Sequence, residues 1–121
     1  MNMKNLEDQL QSACVKWFRY QYPGVVIFAI PNGGSRNAIE AAKLKRTGTL
    51  AGVADLFILR VNYDGDFQTG YYGLFIELKV GKNKQTTAQF DFMVDAQVAG
   101  YQYSICRSVD EFMKVVNEYL K

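Results

Sequence analysis

Asp55, Glu77 and Lys79 are the residues whose types and spacing could do chemistry. Asp55 follows Gly52-Val53-Ala54 and opens the apolar run Asp55-Leu56-Phe57-Ile58-Leu59. Glu77 and Lys79 sit inside a second run, Tyr72-Gly73-Leu74-Phe75-Ile76-Glu77-Leu78-Lys79-Val80. Both runs are short, apolar and rich in aromatic and branched residues, so they read as largely buried strands. A carboxylate in such a strand is costly unless something pairs with it. Residues two apart on a strand share a face, so Glu77 and Lys79 point the same way, together with Phe75. The opposite face, Leu74, Ile76, Leu78 and Val80, is strongly apolar. With Asp55 on a neighbouring strand the result is a compact acid–acid–Lys cluster. That is enough to hold a divalent cation and activate water beside a phosphodiester.

The elements that must position these residues follow from periodicity and turn chemistry. Leu6, Leu10, Cys14, Trp17 and Phe18 recur at helical spacing and predict a first helix ending near Tyr22-Pro23-Gly24. Val25 to Ile30 reads as a strand, and Pro31-Asn32-Gly33-Gly34-Ser35-Arg36 as a loop. A short basic helix from about Asn37 to Arg46, closed by Gly48, precedes a strand from about Ala54 to Val61. Tyr63-Asp64-Gly65-Asp66 supplies a hairpin turn before the strand that carries Glu77. After the basic loop Gly81-Lys82-Asn83-Lys84-Gln85, Thr86 or Thr87 can cap a helix whose predicted apolar stripe is Phe90, Met93, Val94 and Val98. Gly100 ends it, and Tyr101 to Cys106 is the fourth strand. Ser108 and Glu111 have capping-box spacing, and Phe112, Val115, Val116 and Tyr119 give the last helix its buried face.

The predicted order is α-β-α-β-β-α-β-α, an α/β (α+β) arrangement. A central hairpin followed by strand–helix–strand implies a mixed sheet flanked by helices. Antiparallel pairing brings the start of one strand beside the end of the next, which sets Asp55 next to Glu77.

Composition limits the alternatives. The chain has 121 residues, suiting one domain over 1–121 with one core, and it is 49% hydrophobic and 14% aromatic, which favours a globular fold over disorder. It contains no repeat, low-complexity segment or linker. No apolar stretch is long enough to span a bilayer, and Met1 to Asn5 lead into an amphipathic pattern without a signal-peptide core, so a cytosolic protein is expected. There is no histidine, which excludes Ser–His and Cys–His mechanisms. Two separated cysteines, Cys14 and Cys106, are too few for a zinc site and are expected as buried free thiols. A metal must then be held by oxygens, which favours Mg²⁺ or Mn²⁺. A net charge of +2 does not announce a nucleic-acid binder, so the case rests on where the charges lie.

Further residues admit two readings each. Glu7 could face the sheet from the first helix or be solvated. Gln89 could reach the site from its helix or be exposed. Asn32, Gly33 and Gly34 could admit a phosphate close to main-chain N–H groups, with Arg36 as a bidentate clamp, or form a plain turn. Lys43, Lys45 and Arg46, with Lys82 and Lys84, could track nucleic-acid phosphates or be solvated faces.

Taken in order, Glu7, Pro31 to Arg36, Gly52-Val53-Ala54-Asp55-Leu56, Glu77-Leu78-Lys79 and Gln89 resemble the VRR-NUC branch of the PD-(D/E)xK nucleases, in the small stand-alone form of phages and prophages. The resemblance runs from Glu7 to the strand at Tyr101–Cys106, with Ala54 where the family usually has proline. It implies a restriction-endonuclease-like fold. It implies that Asp55, Glu77 and the main-chain carbonyl of Leu78 hold Mg²⁺, for which Mn²⁺ can substitute. Lys79 would orient or activate water and stabilise the phosphate, Glu7 would complete the acidic site, and Gln89 would position Lys79 or water. The expected activity is a metal-dependent DNA endonuclease on structured DNA, similar to Holliday-junction resolvases, in the cytoplasm of a bacterium or a phage-infected host. A homodimer is expected, with Tyr71, Tyr72, Tyr101 and Tyr103 as candidate interface residues, and no protein partner is implied. The alternatives are a flap or general duplex nuclease, or a catalytically silent DNA-binding module.

Overall fold

Each helix begins where a side-chain oxygen can accept from an otherwise orphaned main-chain N–H. The structure, a computed structural model, describes residues 2–31, 37–62 and 70–121. Asn2 caps α1 (Met3–Gln21) by accepting from the Asn5 amide at 2.9 Å. Asn37 caps α2 (Ala38–Arg46) through the Glu40 amide at 2.7 Å. Thr86 caps α3 (Thr87–Val98), and Gln89 reciprocates, its side-chain oxygen accepting from the Thr86 amide at 2.9 Å. Ser108 caps α4 (Val109–Tyr119) through the Glu111 amide. The box expected there is half formed, because the Glu111 carboxylate accepts from the Arg107 amide instead of closing on Ser108.

The strands are β1 (Val26–Ala29), β2 (Leu56–Leu59), β3 (Leu74–Leu78) and β4 (Gln102–Cys106), lying side by side in that order. β1–β2 and β2–β3 are antiparallel, and β3–β4 is parallel across the α3 connection. This is the mixed α+β sheet that the element order implies. Pairing of Leu56 with Ile76 puts the residue before β2 opposite Glu77. The strands are shorter than the apolar runs because the flanks bond elsewhere. Tyr71 bridges to Asn62, and the Tyr72 amide donates to the Gly100 carbonyl at 2.9 Å. The turn expected at Tyr63 to Asp66 and the loop at Asn32 to Arg36 lie outside the described residues.

The two faces of the sheet differ in kind. One carries Ile27, Leu56, Ile58, Leu74, Ile76, Leu78 and Cys106 into a core closed by Cys14 and Phe18 of α1 and Phe112, Val116 and Tyr119 of α4. Cys14 and Cys106 are buried free thiols as expected, and burial pushes both up to about 12. The other face carries Phe75, Tyr103 and Ile105 against Phe92, Met93 and Ala96 of α3. Here two expectations need correction. Met93 packs inward as expected, but Phe90, Val94 and Val98 point outward, with Val98 83% exposed, and Phe92 and Ala96 join Met93 against the sheet. The helix is apolar on most sides, so spacing alone does not choose its buried face. Tyr103, expected among interface candidates, is buried beneath α3, and Tyr101 is half-buried against Phe57 and Phe75.

Phe112 packs edge-on to Trp17 and contacts Phe18, so Phe112→Ala should cost about 3–5 kcal/mol of stability. Val98→Ser should stay within about 0.5 kcal/mol. Urea titrations at low protein concentration separate the two, and similar losses would contradict this assignment of the core.

Candidate active site

Asp55 is fixed before its carboxylate is considered. Its amide donates to the Ile76 carbonyl at 3.0 Å, and its carbonyl accepts from the Ile30 amide at 2.9 Å. The backbone of Asp55 therefore spans β1 and β3 at the head of β2. Its Oδ2 accepts from the Leu78 amide at 2.7 Å, so the side chain is clamped to the strand that bears Glu77. Gly52 brings the preceding loop against α3. Its φ is +89°, and a Cβ there would lie 2.4 Å from the Ala88 carbonyl oxygen, so both conformation and space require glycine.

Among the described residues, the buried charged side chains are Glu77 and Lys79. Glu77 is 1% exposed and lies within the α3 face of β3. Its Oε1 accepts from the Tyr103 hydroxyl in a short hydrogen bond and from Gln85 Nε2 at 2.9 Å. Its Oε2 has no hydrogen-bond partner although it is buried. Lys79 Nζ is 3.9 Å from Oε2, an ion pair beyond hydrogen-bonding distance. A buried pair at that separation is weak evidence for stability, because desolvation offsets much of the attraction.

Charge and burial act together on the site. Burial raises the Asp55 carboxyl above the usual aspartate range, and the negative charges of Glu7 and Glu77 push the same way. The Leu78 amide and Lys79 oppose the rise. Burial and the bond to Glu77 hold the Tyr103 phenol far above its ordinary value, so it remains a donor at any physiological pH. Glu7, Asp55, Gln89 and Lys45 line one open cavity of about 660 Å³, walled by α2, residues 49–52 and the start of α3.

The expected site residues are thus brought together unequally. Asp55, Glu77 and Lys79 converge. Glu7 shares the cavity and the field of Asp55, yet among the described residues no three Asp, Glu, His or Cys side chains are close enough to hold a metal unaided. Gln89 lines the cavity, but its side-chain oxygen is spent on the cap of α3. The glutamine that touches the acid is Gln85, and neither it nor Tyr103 stood out as a site residue in the sequence. Leu78 meets Asp55 through its amide. Lys43, Lys45 and Arg46 are exposed on α2, Lys82 and Lys84 are exposed beyond β3, and Lys45 lines the cavity. Asn32, Gly33, Gly34 and Arg36 lie outside the described residues.

The donors present fit a small hard cation. A desolvated aspartate and a buried glutamate oxygen that accepts no hydrogen bond, beside a lysine, are oxygen chemistry. No family model matches the chain, and no curated protein is similar to it. A solved structure described as a VRR_NUC domain protein is similar over 94% of this chain and 87% of its own, at 27% identity and a TM-score of 0.73. This likeness, over nearly the whole chain, supports a VRR-NUC domain identity and a nuclease-type fold. Among the described residues no helix is long and apolar enough to cross a membrane.

A carboxyl raised by burial binds its proton more tightly in the folded chain than in the unfolded one. Its contribution to stability is full below the unfolded value and is lost as pH rises through the folded value. Asp55→Asn keeps an oxygen to accept from Leu78, so with chelator at pH 7 it should melt above the wild type. The gap should close below about pH 4, where aspartate is protonated in both states. A lower melting temperature for the variant at pH 7 would contradict the burial argument.

Proposed function

We propose that the protein is a Mg²⁺-dependent endonuclease, with Mn²⁺ able to substitute, that hydrolyses phosphodiester bonds in structured DNA in the manner of a Holliday-junction resolvase. The observation that carries this reading is the buried oxygen of Glu77 that accepts no hydrogen bond, 3.9 Å from the Lys79 ammonium, beside the clamped carboxylate of Asp55. A DNA-binding module or structural protein has no use for a buried carboxylate oxygen that lacks a hydrogen bond and is only loosely ion-paired, which costs free energy in every folded molecule. A cation-binding site does.

The residues divide the work. Oε2 of Glu77, the carboxylate of Asp55 and the main-chain carbonyl of Leu78 would hold the cation. A cation bound there lowers the pKa of water and offsets charge on the phosphate. Lys79 points its ammonium at the same place, suited to orient the attacking water or to stabilise the phosphate oxygens. Glu7 keeps the cavity wall acidic. Gln89 orders the turn behind the site through the α3 cap, a positioning role rather than a contact with Lys79. Lys45 at the cavity, Lys43 and Arg46 on α2, and Lys82 and Lys84 beyond β3 would carry the DNA phosphates, together with Asn32, Gly33, Gly34 and Arg36.

A homodimer belongs to this reading, because a two-fold pair presents two matching sites to a four-way junction. The support is an apolar surface on the α3 side. Phe90, Val94 and Val98 line up at intervals of four on α3. Val26, Phe28 and Leu59 are exposed on the half of the sheet beyond it, with Tyr71 and Tyr72 also exposed. Light scattering at micromolar concentration should give a dimer mass that Val98→Asp reduces to the monomer. A wild type that is monomeric throughout would remove the dimer from the reading.

Labelled four-way junction, flap and linear duplex DNA test the activity. Cleavage is expected with Mg²⁺, none with EDTA, and a loss of about a hundred- to a thousandfold in Asp55→Ala and Glu77→Ala, as for removal of a principal charge-stabilising group. Preference for flaps or plain duplex would replace the resolvase reading with another nuclease. Binding without cutting in any metal would leave a silent DNA-binding module.

A further inference from the structure

Glu77 receives its hydrogen bonds at one oxygen only. The Tyr103 hydroxyl and Gln85 Nε2 both donate to Oε1, while the buried Oε2 has no hydrogen bond and meets only the Lys79 ammonium, at 3.9 Å. If these two donors served only to satisfy a buried acid, the cheaper arrangement would put one on each oxygen. Both are instead brought to the same atom from separate parts of the chain. Tyr103 comes from β4, where it pairs with Phe75 two residues before Glu77, and its ring packs against Phe92. Gln85 comes from the turn before α3, its amide also 3.6 Å from Met93 Sδ. Arg107 Nη1 ties that turn down by donating to the Gly81 carbonyl at 3.1 Å, and the Thr86–Gln89 cap fixes its other end.

We infer that Tyr103 and Gln85 are positioning residues that occupy Oε1 of Glu77 and so make it a one-oxygen ligand, through Oε2, for a small octahedral cation in preference to Ca²⁺. The inference rests on the metal-dependent reading above. The physical reason is coordination number. Ca²⁺ gathers six to eight oxygens and readily takes both oxygens of a carboxylate, whereas Mg²⁺ takes one oxygen from each of one or two carboxylates and keeps several waters. A carboxylate with one oxygen already committed to two donors cannot chelate without breaking both bonds. The selectivity therefore sits in groups that never touch the cation.

The test is direct Mn²⁺ binding, read from the free-ion electron paramagnetic resonance signal on the whole protein, with Ca²⁺ as competitor. The proteins are wild type, Tyr103→Phe, Gln85→Leu and the double variant, each checked for folding by circular dichroism. The double variant should bind Mn²⁺ about 10- to 100-fold more weakly, the range usual for loss of groups that orient a ligand. Ca²⁺ should also displace Mn²⁺ from it at a lower ratio than from wild type. Cleavage should need correspondingly more Mn²⁺ but approach the wild-type maximum at saturation. A double variant that melts lower yet keeps wild-type Mn²⁺ affinity and the same Mn²⁺-to-Ca²⁺ preference overturns the inference and leaves the metal site standing. Absence of Mn²⁺ binding by the wild type overturns both.

Discussion

The hydrogen bond from the Leu78 amide to Asp55 Oδ2 is the constraint on which the site depends. It joins the residue ahead of β2 to the residue after Glu77, and it forms only in the register that pairs Leu56 with Ile76. Slip β2 by one residue and Leu56 and Ile58 leave the α1–α4 core, so the apolar packing that selects this register also selects the site. The same head of β2 is tied on its other side to Ile30 at the end of β1. Three strands thus agree on where one carboxylate stands. The geometry is set by main-chain bonds and core packing, which are stiff, and not by the long side chains of exposed loops.

The layering explains how charge survives inside so small a protein. All the aliphatic weight of β3 lies on one face, with Leu74, Ile76 and Leu78 sealed by α1 and α4. The α3 face is aromatic and partly polar, so it can hold Phe75 and Glu77 side by side. Tyr103 is the hinge between these characters, its ring packed with Phe92 and its hydroxyl on Glu77. The destabilising charges are confined to one end of one layer, while the other layer supplies most of the packing. An acid placed on the α1–α4 face would have met only apolar side chains.

Sequence alone made part of this legible. Asp55, Glu77 and Lys79 stand out because a strand has a period of two and an acid in an apolar strand violates it. Caps at Thr86 and Ser108 follow from local chemistry, and the mixed sheet follows from element order. Gln85 and Tyr103 were not legible. Gln85 sits in a basic turn where a glutamine breaks no rule, and Tyr103 sits in a strand where tyrosine is favoured. Their meaning comes from meeting at one oxygen across β3, β4 and the start of α3, a coincidence no local pattern encodes. Gln89 misled for a related reason. It is close to the site, but three residues after Thr86 a glutamine is also the partner of a cap, and the nearer bond took its oxygen.

The α3 helix shows the same limit from the packing side. Its residues are apolar almost all round, so either Phe90, Val94 and Val98 or Phe92, Met93 and Ala96 could face the sheet. Ala96 packs in one cluster with Ala54, whose loop is pressed onto the helix start at Gly52, and small side chains on both partners permit that approach. A Phe90–Val94–Val98 face turned inward would hold the helix away and draw the cap with it. The cap and Gln85 are adjacent in the chain, so a displaced α3 would also withdraw the amide that donates to Glu77. With Phe92, Met93 and Ala96 turned to the sheet, Phe90, Val94 and Val98 are left outward as an apolar stripe.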